Sequence, residues 1–308
     1  MTLKPSRPPR EYTSFMLGYL LAFVSSIFFG LYVVPRKLSK LEPVHFSLLM
    51  SFGFFVGSVL LYLLQPLLQF QETINSALLW SLLAGAIWAT SFLLLVYSID
   101  RIGLSRSNQW KNLQGPVGVV LSLVILAEYS TTNAFFAVLA GIAIFVSALF
   151  FSATTPEKGK ANSYGILLAI LAGLGFGIVA VINKYVTDNV GVYSQQVVWS
   201  FAMVLTLLFY AFFKSNLPTL RTGITRRESM LGILAGLLYL GASFFMLQSF
   251  KYIDASVGFT IVQLNALWTI AVGIFIFKEV DLKLHSKKVW WGILFAIIGV
   301  VLLLFTRK

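Results

Sequence analysis

The chain has 308 residues, of which 58% are hydrophobic and only 11% carry a charge. A soluble domain carries about 25% charged residues, so this composition excludes an ordinary soluble protein. There is no cysteine, which excludes disulfide scaffolds, iron–sulfur clusters and thiolate metal sites.

Ten apolar segments follow one another along the chain, each near the roughly 20 residues that a helix needs to cross a bilayer. Strands of a β-barrel would be nearer 10 residues long and would alternate in polarity. The sequence therefore predicts an all-α membrane protein with ten transmembrane helices. The segments cover 14–34, 44–64, 78–99, 105–127, 134–152, 164–186, 193–213, 230–250, 256–277 and 288–305.

The first apolar segment follows a short basic stretch, as the core of a signal peptide would. It is longer than the 7–15 residues of such a core and has no A-x-A-like cleavage site, so we expect a retained helix. Residues 1–13 before it are expected to form a flexible tail.

Two parts of the chain resemble each other. Residues 18–37 are identical to residues 165–184 at eight of twenty positions, at an offset of 147. Further along, an offset of 151 aligns Glu128 with Glu279 and also aligns glycines. Matched Gly, Lys and Glu are informative because apolar composition alone does not produce them.

We interpret the chain as two homologous five-helix repeats, at 14–152 and 164–308, joined by a linker at 153–163. Because each repeat has an odd number of spans, the second must cross the membrane in the opposite sense to the first. Inverted repeats of this kind are common in secondary transporters, with the substrate site near the bilayer midplane between them. The pattern predicts transport by alternating access.

The fourth segment begins with the polar stretch SRSNQWKNLQGPVG at 105–118. In a helix, Ser105, Gln109 and Asn112 fall within a sector of about 60° on one face. The offset of 151 gives the ninth segment a matching stripe, formed by Ser256, Thr260 and Gln263. We interpret both stripes as the lining of a hydrated cavity; hydrogen bonding between neighbouring helices is the alternative.

Two further features of this stretch carry expectations. Pro116 is expected to leave the carbonyl near Asn112 without its helical partner and therefore free for a solute or water. Lys111 lies off the polar face and is expected to reach the membrane surface.

The ends of the fourth and ninth segments carry the motif through which the chain resembles a known family. Each has a Glu followed thirteen residues later by Gly, as Glu128 with Gly141 and Glu279 with Gly292. With the two five-span halves, this resembles the drug/metabolite transporter superfamily. The sequences GAIWA at 85–89, SxSxxxxxxQG ending at Gly115 and AE at 127–128 are most similar to its glucose/ribose uptake branch.

The resemblance implies a secondary transporter of a small polar solute, with a sugar as the first candidate. Sugars need groups that both donate and accept hydrogen bonds, such as amides and hydroxyls, and aromatic faces for their C–H surfaces. Trp88 and its repeat equivalent Tyr239 are the candidate aromatic pair.

Coupling to protons would require an ionisable group in or near the membrane. Glu128 and Glu279 are the candidates because they are equivalent in the two repeats; otherwise both serve helix ends and the protein is a facilitator. Two isolated histidines, His45 and His285, do not predict a metal site, and no cofactor is expected.

Most of the 23 Lys and Arg residues lie in the connections after the odd-numbered spans. The positive-inside rule therefore places both termini outside, whereas the family resemblance implies termini inside. In this composition basic residues report topology, so the expected partners are the lipid bilayer and a solute rather than nucleic acid. We expect a multi-pass protein of the cell membrane.

Three other functions are alternatives to sugar transport. An exporter of amino acids or other metabolites on the same fold is the nearest of them. A receptor or assembly subunit without transport would not need equivalent polar stripes in both halves. A membrane enzyme would need clustered catalytic residues or a phosphate-binding loop, and the sequence contains neither.

Overall fold

A computed structural model describes residues 9–68, 72–102, 107, 110–153, 162–214, 224–277 and 282–307. Within these ranges the chain is almost entirely α-helical, which confirms the prediction of an all-α membrane protein. The helices are α1 (Pro9–Leu31), α2 (Val34–Leu38), α3 (Pro43–Leu64), α4 (Leu79–Ile102), α5 (Gln114–Ile125), α6 (Ala134–Ser152), α7 (Ser163–Asn189), α8 (Val192–Phe213), α9 (Arg226–Phe250), α10 (Ala255–Val262), α11 (Asn265–Phe275) and α12 (Leu282–Leu303).

The described residues contain nine helical segments that are long and apolar enough to cross a membrane. The fourth of the ten predicted spans contains α5, which is apolar but has only 12 residues. Part of that span's N-terminal portion lies outside the described residues. With α5 as the shorter tenth segment, the number of observed spans is close to the ten predicted. The first helix begins at Pro9, inside the segment expected to be a flexible tail.

Successive spans run in opposite directions. The connections after the first, third, fifth, seventh and ninth spans therefore share one side of the molecule, which we call the basic side because it holds most Lys and Arg. The ends of the chain and the remaining connections share the other side, which we call the terminal side. On the terminal side the backbone amide of Asn133 donates to the carbonyl of Thr306 (2.5 Å).

Contacts between helices come in reciprocal pairs. Helix α1 packs against α9, and α7, which is at the corresponding place in the second predicted repeat, packs against α4. In the same way, α3 packs against α9 and α8 against α4, while α1 contacts α10 and α11 and α7 contacts α5. Helices α6 and α12 pack against each other.

Glycines allow the closest of these crossings. A Cβ atom on Gly236 of α9 would lie 2.1 Å from the carbonyl oxygen of Met50 in α3. A Cβ atom on Gly85 of α4, at the equivalent position, would lie 2.4 Å from the carbonyl oxygen of Trp199 in α8. Both crossings therefore need a residue with no side chain, because the opposing atom is backbone.

The fourth and ninth spans are both interrupted, at equivalent places. Turns at Asn112–Leu113 and at Gln263–Leu264 separate the helical segments. The carbonyl of Asn112 accepts the amide of Gly115 at 3.1 Å, and the carbonyl of Gln263 accepts the amide of Ala266 at 3.4 Å.

This geometry corrects the expectation for Asn112, because its carbonyl has a partner and is not left free. The position equivalent to Pro116 is Leu267, so the second interruption forms without proline. Tight i→i+3 turns form both interruptions and satisfy these carbonyls locally.

Candidate functional site

The two interrupted spans meet in the interior through a pair of amide side chains. The Nε2 atom of Gln114 donates to the Oε1 atom of Gln263 at 2.9 Å, and both side chains are buried. A Cβ atom on Gly115 would lie 3.0 Å from Cγ of Gln263, so glycine permits this close approach. The bridge therefore joins α5 to the turn between α10 and α11.

A cavity of about 50 Å³ surrounds this bridge, and we call it the central cavity. It has room for a few water molecules and is smaller than a sugar. Its polar lining comes from Lys111, Gln114, Asn183, Gln263 and Asn265. Its aromatic lining comes from Phe29, Tyr32, Trp88, Phe176, Trp199, Tyr239 and Phe259.

Three N–H donors of the cavity wall have no acceptor among the described residues. They are Nδ2 of Asn183, Nε1 of Trp199 and Nε2 of Gln263, all of them buried. An unsatisfied buried donor costs about 1–3 kcal/mol, and all three donors belong to residues that line the cavity, so an oxygen acceptor that reached them from the cavity would offset this cost. The central cavity is thus suited to a solute rich in oxygen acceptors.

The aromatic pair expected from the repeat lies in this wall. The rings of Trp88 and Tyr239 are 4.8 Å apart between centroids, and Trp88 also stacks on Phe92 at 4.9 Å. Both side chains are almost completely buried, at 4% and 2% exposure. Both rings line the same cavity as the amide side chains of Gln114, Asn183 and Gln263.

Some of the predicted site residues line the central cavity, and others do not. Trp88, Tyr239 and Gln263 line the central cavity. Asn112, Thr260 and Ser256 are buried but lie outside its lining, and the Thr260 hydroxyl donates to the Ser256 carbonyl at 2.6 Å. The remaining predicted residues, Ser105, Gln109 and Glu279, lie outside the described residues.

Four polar residues of the cavity were not predicted to line it. Lys111, expected at the membrane surface, lies in the wall, as do Gln114, Asn183 and Asn265. The turn at Asn112–Leu113 changes the helical phase, so a face calculated for a continuous helix does not extend past it. Gln114 and Asn265 are separated by 151 residues, and this equivalence was the signal that could have found them.

Two further pockets lie toward the two sides of the molecule. The pocket on the basic side has about 200 Å³, includes Arg36 and Lys37 in its lining, and shares Tyr32 with the central cavity. The pocket on the terminal side has about 530 Å³ and its charged lining is formed by Lys184, Lys251, Asp254 and Arg307. The basic-side pocket therefore adjoins the central cavity at Tyr32.

The carboxylate of Glu128 lies at the beginning of α10 rather than in the central cavity. It accepts the backbone amides of Ala255 at 2.8 Å and of Ser256 at 2.9 Å. Burial raises the pKa of the Glu128 carboxyl, while hydrogen bonds from Ser256 and Ala255 oppose the shift. This geometry favours a helix cap joining the two halves.

We expect Glu128→Gln to keep one of the two cap hydrogen bonds, because the carboxylate accepts with both oxygens and an amide has a single acceptor oxygen, and Glu128→Ala to remove both. The alanine variant should lose about 1–2 kcal/mol of stability, because two buried amides lose their acceptor. Since burial raises the folded-state pKa, ionisation of Glu128 lowers stability as the pH rises through that value. Glutamine does not ionise, so the stability of the glutamine variant should lack this pH dependence, and this variant should be more stable than the alanine variant because it keeps one acceptor.

Thermal unfolding in detergent across the pH range measures these differences. An alanine variant as stable as the wild type would contradict this account of the cap. If glutamine instead preserved stability but abolished transport driven by a pH gradient, Glu128 would be a coupling residue.

Known proteins resemble this chain over nearly its whole length. A family model described as "Sugar transport protein" matches residues 3–155 and 73–306. No curated protein matches the chain in sequence. A solved crystal structure, described only as that of a protein, has a TM-score of 0.69 to this chain at 12% identity, and the match covers 92% of this chain and 96% of the other.

Proposed function

The chain belongs to the sugar transport protein family and is a multi-pass membrane transporter, and we propose that it carries a sugar or similar small polyol by alternating access. One observation carries this proposal. Two interrupted spans, equivalent at an offset of 151, meet at the Gln114–Gln263 bridge beside a cavity with unpartnered donors. Interrupted helices at a repeat interface are the usual setting of a transporter's substrate site.

The chemistry of the central cavity supports a polyol. Sugar hydroxyls both donate and accept, and therefore fit a wall that combines amide groups with unpartnered N–H donors. The Trp88 and Tyr239 rings offer an apolar surface for the C–H face of a sugar. Since the cavity of about 50 Å³ is too small for a sugar, we propose that this is a closed state and that the walls separate on binding.

The reciprocal helix contacts support two inverted repeats, at 14–152 and 164–308. The glycine crossings follow the same exchange, with Gly85 against α8 and Gly236 against α3. Two similar halves can exchange conformations, and we propose that this exchange opens the basic-side and terminal-side pockets alternately. We also propose that the membrane in which it works is the cell membrane.

We propose facilitated diffusion rather than proton symport. Among the described residues lining the central cavity none is acidic, and the Glu128 carboxylate is held by two backbone amides. Export of amino acids or other metabolites remains the alternative on the same fold.

Uptake into proteoliposomes tests the proposal. We expect saturable uptake of labelled glucose, ribose or rhamnose by the wild type, and a loss of about tenfold or more in Gln114→Ala/Gln263→Ala, since each buried amide contributes about 1 kcal/mol. The control is Gln248→Ala, an amide on α9 outside the cavity lining. Uptake that survives in the double variant would show that the substrate site lies elsewhere in the protein. If folded protein takes up no sugar at all, the proposal is overturned.

A further inference from the structure

We propose that the preferred solute is a polyol bearing a single carboxylate, a sugar acid, whose charge is held by the Lys111 ammonium group. This inference rests on the proposed function and narrows its substrate class. Lys111 lines the central cavity together with Gln114, Asn183 and Gln263. No described acidic side chain lies in that lining to neutralise it.

A charged ammonium group in the interior of a membrane protein is expensive unless a counter-charge or polar partner accompanies it. No hydrogen bond or ion pair is found between the Lys111 side chain and another described residue. The residue was expected to reach the surface, and its position in the wall is therefore explained best by an anion that binds there.

The neighbouring polar groups point to the same chemistry. The ammonium group of lysine only donates hydrogen bonds, and the unpartnered atoms of Asn183, Trp199 and Gln263 are also donors. A wall with this excess of donors is complementary to a carboxylate, which only accepts. A neutral sugar would satisfy the same wall less completely, because each of its hydroxyls also brings a donor.

The approaches to the central cavity are also mainly basic. Arg36 and Lys37 line the basic-side pocket, which has no acidic residue in its described lining. In the terminal-side pocket Lys184 is paired with Asp188 at 2.6 Å. The lining also contains Lys251, Arg307 and one acid, Asp254.

That acid is already engaged. The Oδ2 atom of Asp254 accepts the hydroxyl of Thr131 at 2.7 Å and that of Thr132. Positive lining on both sides would raise the local concentration of an anionic solute.

The site fits one negative charge rather than two. A phosphate ester would favour paired basic groups or the bidentate fork of an arginine. Among the described residues, the central cavity has one lysine and no arginine. One point charge surrounded by neutral donors therefore matches a monocarboxylate such as an aldonate or a uronate.

The test compares a charged solute with its neutral counterpart. Labelled gluconate and glucose are offered to proteoliposomes containing the wild type, Lys111→Met or Lys111→Arg. We expect the wild type to prefer gluconate, and Lys111→Met to lose gluconate uptake by about tenfold or more, the size of one charge-assisted hydrogen bond. In Lys111→Met, gluconate uptake should fall by a larger factor than glucose uptake, so that the preference is lost, and Lys111→Arg should retain part of the preference.

The matched control is Lys288→Met, which removes one exposed positive charge on the basic side, where Lys288 donates to the Ala153 carbonyl. A wild type that prefers glucose, or a Lys111→Met variant that keeps gluconate uptake, would overturn the inference and leave sugar transport standing. If folded wild type transports neither solute, nor ribose or rhamnose, the proposed function itself fails. The preference of the wild type for gluconate over glucose is measured without any variant. It therefore tests the inferred substrate class even if Lys111→Met does not fold.

Discussion

Gly236→Ala is expected to prevent the protein from reaching its folded state, whereas Gly141→Ala should have little effect. The added methyl group at Gly236 would lie 2.1 Å from the Met50 carbonyl oxygen and 2.6 Å from the Phe54 amide nitrogen. Overpacking costs about 1–3 kcal/mol where side chains can adjust. Here the opposing atoms are backbone, so we expect a loss at or above the upper end of that range.

Gly141 provides the matched control on another helix pair. A Cβ atom there would lie 3.4 Å from Cγ2 of Val119, an ordinary van der Waals contact. Alanine also favours helix over glycine by about 1 kcal/mol. For both variants we would measure the yield of monodisperse protein and the thermal unfolding temperature. A Gly236→Ala protein as stable as the wild type would show that α3 and α9 do not cross this closely.

The second large effect is expected at Trp88, which serves both the core and the cavity wall. Trp88→Ala should destabilise the protein by about 3–5 kcal/mol, because it leaves a cavity where the ring contacts Phe92, Phe176 and Tyr239. Uptake per folded molecule should also fall, since the apolar side of the site is lost. Trp88→Phe should keep the fold and part of the uptake.

Trp290→Ala is the control for removal of a tryptophan from this membrane protein, because its side chain is 71% exposed. We expect little change in either measurement for that variant. Should Trp88→Ala unfold normally and transport at the wild-type rate, the wall formed by Trp88 and Tyr239 would not be part of the site.

The sequence predicted the features that depend on hydrophobicity and on repetition. Segment lengths and the excess of apolar residues are sufficient to identify membrane helices, and the structure confirms an all-α membrane protein. The offset of 151 singled out Trp88, Tyr239 and Gln263, and all three line the central cavity. Equivalence between repeats was informative because it selects positions independently of helix geometry.

Predictions that assumed an unbroken helix were less successful. The turn at Asn112–Leu113 rotates the residues after it, so Gln114 rather than Asn112 reaches the cavity. Lys111, which precedes the turn, also lies in the wall, although its helical angle predicted the surface. Such an interruption depends on packing against a second interrupted span, and propensities along one segment do not contain that information.

Glu128 shows a different reason for an incomplete prediction. Its equivalence to Glu279 suggested proton coupling, but the carboxylate accepts two backbone amides at the beginning of α10. Those amides are 127 and 128 residues away in sequence. A partner at such a distance is determined by the tertiary fold and cannot be found from local spacing.

The central claim is that the cavity between the two interrupted spans opens to the two sides of the membrane in turn. The chain has no cysteine, so any introduced cysteine is the single reactive thiol. Ile99→Cys would report on the basic-side pocket and Ser130→Cys on the terminal-side pocket. Thr73→Cys, on an exposed connection outside both pockets, is the control.

The decisive measurement is the labelling rate of each thiol by a membrane-impermeant reagent, with and without saturating gluconate or glucose, in protein shown to take up that solute. The account predicts that the solute changes the rates at Ile99→Cys and Ser130→Cys in opposite directions and leaves Thr73→Cys unchanged. Rates at both pockets that rise together, fall together or stay constant would contradict alternating access through this cavity.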